Sequence, residues 1–160
     1  MHRISHTIKL GTGLRTSSCF LEAFRLCKCG VGHWVPETLS RPDFRVSEHL
    51  MDVSLVAVSV SELGFKDGGK RSEVNAKAKT LGYSFCPAEV GPQFCLQVSR
   101  QKFGDHFHVG MNPIQITPGY ARSFVCNFGE NNHPEISTDW THHGYPLPPT
   151  CQILFVSDTR

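Results

Sequence analysis

The stretch LGYSFCPAEVGPQFCLQV, Leu81 to Val98, decides how this chain divides between helix and sheet. Gly82 follows a helical pattern and suits the left-handed position that ends helices, and Pro87 starts a turn. Gly91-Pro92 then delivers the chain into QFCLQV, whose polar–apolar alternation predicts the first strand of a meander. On this reading the stretch is a connector with helices before it and strands after it, anchored by Phe85. Connection accounts for every residue except Glu89 and Gln93. These two are the polar ligand-binding candidates if a cleft lies there, and Glu89, if buried, could instead tie down exposed backbone amides.

Upstream, TSSCFLEAFRLCKCG places Phe20, Ala23, Phe24 and Cys27 at helical spacing, with Thr16 or Ser17 as cap and Gly30 as stop. The prolines of VGHWVPETLSRPDF leave room for a loop, or at most a short helix beginning at Pro36. DVSLVAVSV, Asp52 to Val60, is apolar on both faces and predicts a buried core strand. Ser59 and Glu62 have capping-box spacing. From Ser72, SEVNAKAKTLG predicts a helix with Val74, Ala78 and Leu81 on one face. The two helical pieces around KDGG imitate a helix-turn-helix, but the first is too short and the second has no reading face of arginine or asparagine.

Downstream, HFHVGM, GYARSFVCNF, EISTDW and CQILFVSD carry strand patterns separated by turn residues. The expected fold class is therefore α+β, with N-terminal helices packed on a mainly antiparallel C-terminal sheet or half-barrel. A chain of 160 residues fits a single domain, residues 1–160, whose first 16 residues read as a flexible arm.

Sixteen basic and 14 acidic residues give a net charge of +2, so no strong field points to nucleic acid. The small basic cluster KDGGKR, Lys66 to Arg71, reads as a solvated loop. No apolar run approaches the ~20 residues of a membrane span, and MHRISHTIKLGTGLRTSS has no continuous apolar core of a secretory signal. A cytoplasmic home is expected. Seven cysteines, an odd number without that signal, argue for thiols over a disulfide framework.

Three clusters could carry chemistry. In a strand His106 and His108 share one face, the arrangement by which two imidazoles would meet one divalent metal ion, with His142, His143, His133, Glu130, Glu135 or Cys151 completing the set. The pair resembles the H-x-H of cupins, but the glutamate expected shortly after it is missing, as is a clear second motif. Against it stands the plainer expectation of two histidines on a solvated sheet face. Cys27, Cys29 and His33 form a C-x-C-x3-H cluster, whose one-residue gap departs from the spacing of structural zinc sites; membership of the helix face explains Cys27 equally well. Trp140, His142, His143 and Cys151 could pair a thiol with a base, among many such pairings that seven cysteines and nine histidines allow by chance.

The middle of the chain, from Asp52 to Ile114, with VAVSVSELGFKDGGKRSEVNAKAKTLGYSFCPAEVGPQFCLQV and then HVGMNPI, resembles a group of small bacterial proteins of unassigned function. That resemblance implies no activity, cofactor or catalytic residue. In that group the HFHVGMNPI tract stands without the paired histidines, which weighs against the metal reading. The expected function is a non-catalytic binding or interaction domain taking a small molecule or a partner protein. The alternatives are a metal-dependent enzyme using His106 and His108, and a DNA-associated regulator, which lacks its basic footprint.

Overall fold

The computed structural model describes residues 6–98, 106–129, 133–141 and 144–157. The elements are β1 His6–Leu10, α1 Ser17–Leu26, β2 Gly30–Val31, α2 Val35–Leu39, β3 Met51–Ser59, α3 Arg71–Thr80, α4 Val90–Gln97, β4 His106–Val109, β5 Ile114–Thr117, β6 Tyr120–Phe128, β7 Pro134–Trp140 and β8 Gln152–Val156. The strands join in one curled sheet of order β1-β3-β8-β4-β6-β7-β2, with β5 paired to β6 outside that path. The fold is α+β.

The sheet is mixed, which corrects the expectation of a mainly antiparallel C-terminal one. β4 runs parallel to β8 and β2 parallel to β7, and β1 and β3 come from the first half of the chain. The last strand inserts between β3 and β4. Alternation in a sequence tells which residues share a face, but not which strand lies alongside, so this insertion left no local trace. The supposed arm is also corrected over residues 6–10: β1 pairs antiparallel with β3, and Ile8 and Leu10 are buried. α2 is the short helix that the prolines allowed, with Pro36 in its first turn.

QFCLQV is not a strand. It belongs to α4, with Val90, Gly91, Pro92, Gln93, Phe94 and Cys95 all buried. Pro92 lies in the first turn, where no intrahelical acceptor awaits its missing N–H. Glu89, Gln93 and Gln97 fall four residues apart, and each bonds to the next: Gln93 Nε2 to Glu89 Oε2 at 3.0 Å, and Gln97 Nε2 to Gln93 Oε1 at 2.9 Å. This polar stripe lies along β1, an outermost strand of the sheet. Gln97 donates to the Lys9 carbonyl and accepts from the Lys9 amide, at 2.6 and 2.8 Å. A side-chain amide thus stands in for a neighbouring strand and closes an edge that would otherwise invite pairing.

Opposite the stripe, α4 packs into the core, touching β1, β6 and β7. Gly91 makes that approach possible: a Cβ there would stand 2.6 Å from Phe124 Cβ. Gly91→Ala is therefore expected to destabilise by about 1–3 kcal/mol through overpacking, although alanine is the better helix former by about 1 kcal/mol. A urea midpoint equal to or above that of the parent would contradict this.

The two faces of the sheet carry two apolar clusters. The larger holds Phe20, Phe24, Val35, Leu39 and Phe94 of the helices with Leu55, Phe107, Phe124 and Phe128 of the strands. The smaller joins Val56, Val58, Ile153 and Phe155 to Val74 and Ala78 of α3, with Leu147 and Cys151. Beyond this smaller cluster, on the same face, β4, β6 and β7 present polar side chains, and a pocket opens.

Candidate functional site

His106 and His108 occupy alternate positions of β4, as their spacing required, and both line this pocket of about 300 Å³ with Val125, Ser137, Thr138, Asp139, Pro146, Leu147 and Pro148. The register explains the assembly: His108 lies opposite Val125, His106 opposite Asn127, and Val125 opposite Ser137. The two rings are not solvated alike. His108 is buried, at 8% exposure, whereas His106 is exposed.

Arg71, the first residue of α3, reaches the same spot. The Gly69 and Leu147 backbones exchange hydrogen bonds of 3.1 and 2.7 Å, which fastens the start of α3 to the turn forming one wall of the pocket. Arg71 Nη2 then lies 2.8 Å from Asp139 Oδ2 and 3.0 Å from His108 Nδ1. Its side chain is only 11% exposed and that of Asp139 27%. Reading KDGGKR as a solvated loop is thereby corrected for Arg71, whose guanidinium belongs to the site.

These contacts set the imidazole tautomers. A guanidinium can only donate, so His108 Nδ1 accepts and the neutral ring carries its proton on Nε2. His108 Nε2 faces His106 Nε2 at 3.2 Å, so His106 Nε2 accepts, and its Nδ1–H donates to Asn127 Oδ1. Arg71, His108, His106 and Asn127 form one directed chain of hydrogen bonds. Each imidazole lone pair is engaged within it.

The 3.2 Å separation of the Nε2 atoms also resembles the spacing of two nitrogens on one zinc ion, about 3.3 Å apart for bonds of about 2.0–2.1 Å in a tetrahedron. The donor at His108 Nδ1 opposes that use. Metal-bound histidines present their second nitrogen as N–H to an acceptor, and here a cation faces it, with the Asp139 carboxylate farther off at 3.9 Å. Among the described residues no three His, Cys, Asp or Glu side chains are grouped to hold a metal ion. His142, His143 and Glu130 lie outside the described residues; His133 and Glu135 are exposed.

Cys151 is buried, and that burial pushes its thiol up to about 11, against a smaller lowering by Arg71. This is the reverse of an activated nucleophile. Trp140, from the same expected cluster, is 38% exposed. The Cys27, Cys29 and His33 cluster is not brought together as one site: the Cys29 thiol donates to the Gly30 carbonyl oxygen at 3.5 Å, and the His33 ring sits edge-on to Trp34.

Glu89 and Gln93 are both buried. Glu89 accepts from the Gly11 amide at 2.9 Å and the Ser47 amide at 2.7 Å, so the backbone-tying role is the one realised. Gln93 donates to Thr12 Oγ1 at 2.8 Å. Gly11, at φ +67°, is the residue that lets the chains meet, since a Cβ there would lie 2.0 Å from the His49 carbonyl oxygen. Neither Glu89 nor Gln93 borders the pocket over His106.

Sequence reasoning missed Arg71, Asp139 and Asn127. The signal available for Asp139 was its place in EISTDW, on the same face as Ser137. No helix among the described residues is long and apolar enough to cross a membrane. Compared with models of protein families, with curated proteins and with solved structures, the chain matches none.

Proposed function

We propose that this chain is a non-catalytic binding domain for a small neutral hydroxylated molecule, taken in the pocket over His106 and His108. The observation that carries the reading is the directed hydrogen-bond chain from Arg71 to Asn127 that runs through two adjacent Nε2 atoms, one a donor and one an acceptor. A hydroxyl both donates and accepts, so a ligand hydroxyl can replace the direct His108–His106 bond, accepting from His108 Nε2–H and donating to His106 Nε2 as the rings part. Asp139 and the Ser137 hydroxyl offer further partners, while Val125, Leu147 and the two prolines give apolar walls suited to the carbon skeleton. Arg71 and Asp139 balance one another's charge, which favours a neutral ligand over an ion. Because the Arg71 guanidinium, rather than a carboxylate, faces His108 Nδ1, we read the pair as a recognition element rather than as a general base.

The test is a titration with glucose as probe, followed by calorimetry or NMR. Saturable binding is expected, and His108→Ala should weaken it by about tenfold or more, the cost of a donor lost from a half-buried site. Arg71→Met, which frees His108 to change tautomer, should weaken it similarly. Equal affinity in parent and both variants would contradict the reading.

A second reading, a divalent metal held by His106 and His108, is favoured by the spacing of their Nε2 atoms alone. It predicts near-stoichiometric zinc or another transition metal by elemental mass spectrometry of protein prepared without a histidine tag. Metal content unchanged in His106→Ala and His108→Ala would end it.

A further inference from the structure

The opposite face of the sheet carries a second set of fixed donors. Alternate residues of β6 share a face, so Tyr120 and Arg122 stand with Phe124 and Cys126 of the larger apolar cluster, away from Val125 and the pocket. Trp140 lies opposite Arg122 in the β6–β7 register, and Trp34, just before α2, reaches the same spot. The Trp34 and Tyr120 rings are 5.7 Å apart between centroids, and those of Tyr120 and Trp140 5.6 Å. The Arg122 guanidinium carbon lies 5.2 Å from the centre of the Trp34 ring and 5.5 Å from that of Tyr120, within the range of cation–π attraction.

These contacts hold the guanidinium without neutralising it. Nε donates to Thr138 Oγ1 at 2.6 Å, Nη2 to the Thr138 carbonyl oxygen at 3.2 Å, and Nη1 to the Tyr120 hydroxyl. Each terminal nitrogen carries a second N–H, so one donor on each is left for a ligand. A carboxylate that takes both gains two charge-assisted hydrogen bonds. Among the described residues no carboxylate stands within ion-pair distance of Arg122, in contrast to Arg71 with its Asp139.

We propose that this end of the sheet binds a uronic acid, a pyranose that carries a carboxylate, with Arg122 taking the carboxylate and Trp140 meeting the C–H face of the sugar. One guanidinium balances the single charge of a carboxylate, whereas a phosphate monoester brings about 1.5–2 negative charges. Trp140 is 38% exposed, and Trp34 and Tyr120 are half-buried, so a ligand here keeps one side in water. A pyranose suits that position, because its C–H face covers the rings while its hydroxyls stay solvated. An aromatic acid would leave its outer face wet. A polyanion such as nucleic acid needs further cations, which a net charge of +2 does not supply. None of this rests on the pocket over His106 and His108, which lies on the other face.

Trp34 and Trp140 are the two tryptophans of the chain, so the indole N–H signals in ¹H–¹⁵N NMR report on this site alone. The test titrates the full chain with sodium glucuronate and expects both indole signals to shift saturably. Glucose, the same ring without the carboxylate, should move them only at concentrations about tenfold higher or more; its binding in the pocket is read on the histidine rings instead. Arg122→Gln, which removes the charge, should weaken glucuronate binding about tenfold or more. Trp140→Ala, read on the Trp34 signal, should weaken it about threefold or more. Acetate, benzoate and inorganic phosphate, each titrated into the parent protein, should all bind more weakly than glucuronate, and this comparison keeps the test open where a variant fails to fold. Indole signals that ignore glucuronate, an equal response to glucose, or tighter binding of benzoate or phosphate would overturn the proposal.

Discussion

Replacing Phe94 with alanine is expected to cost about 3–5 kcal/mol of stability, since truncating a large buried ring loses its transfer free energy and also leaves a cavity. Phe94 is fully buried. Its ring meets Phe107 at 5.4 Å between centroids, Phe128 at 6.0 Å and His6 at 5.2 Å, each edge to face. Truncation would remove contacts to β1, β4 and β6 at once, between elements that backbone hydrogen bonds hold apart, so little collapse can offset it. Phe94→Leu, which refills part of the space, should cost clearly less. Urea denaturation of both variants at constant slope checks this ordering. A loss below about 1 kcal/mol for Phe94→Ala would mean that α4 is not seated in the core.

Glu89→Ala is expected to cost about 2–4 kcal/mol, for a different reason. Removal leaves the Gly11 and Ser47 amides and the Gln93 side chain without their acceptor, and each partly buried unpaired donor costs about 1–3 kcal/mol before water reaches it. Glu89→Gln separates this from simple packing. Oε1 accepts from Ser47, while Oε2 accepts from Gly11 and Gln93. A carboxylate accepts at both oxygens but an amide at only one. The isosteric glutamine must therefore point its own N–H groups at one set of donors, and should lose about 1–2 kcal/mol despite its equal size. A glutamine variant as stable as the parent would show that Glu89 only fills space.

Both variants lie in the stretch that was hardest to read. QFCLQV alternates, and alternation over so few residues fits a strand or one face of a helix equally well. The discriminating signal was the four-residue spacing of Glu89, Gln93 and Gln97, which only a helix turns into one stripe. Treating the prolines and glycines as turn punctuation hid it, because Pro92 in a first turn and Gly91 at a close contact are both compatible with a helix. Where chemistry is local the sequence was more informative. Thr16 Oγ1 accepts from the Cys19 amide and caps α1. Ser59 and Glu62 form the reciprocal capping pair their spacing implied. α3 ends before Gly82, whose φ is +93°.

The site divides the same way. That His106 and His108 share a face follows from period two alone, so their convergence could be read from four letters. That Arg71 would fix their tautomers could not. Its arrival depends on the Gly69–Leu147 pairing and on β4, β6 and β7 being neighbours. Likewise Cys29, Cys95 and Cys126, all buried in the larger apolar cluster, come from a loop, a helix and a strand far apart in sequence, and no spacing rule links them.

The binding proposal rests on the hydrogen-bond chain through the two imidazoles, and long-range ¹H–¹⁵N NMR of the histidine rings at neutral pH, with and without glucose, tests it most directly. The expected spectrum shows His108 protonated on Nε2 and His106 on Nδ1, with both sets of signals shifting saturably as glucose is added. His108 protonated on Nδ1, or ring signals that do not respond to the hydroxylated probe, would contradict it.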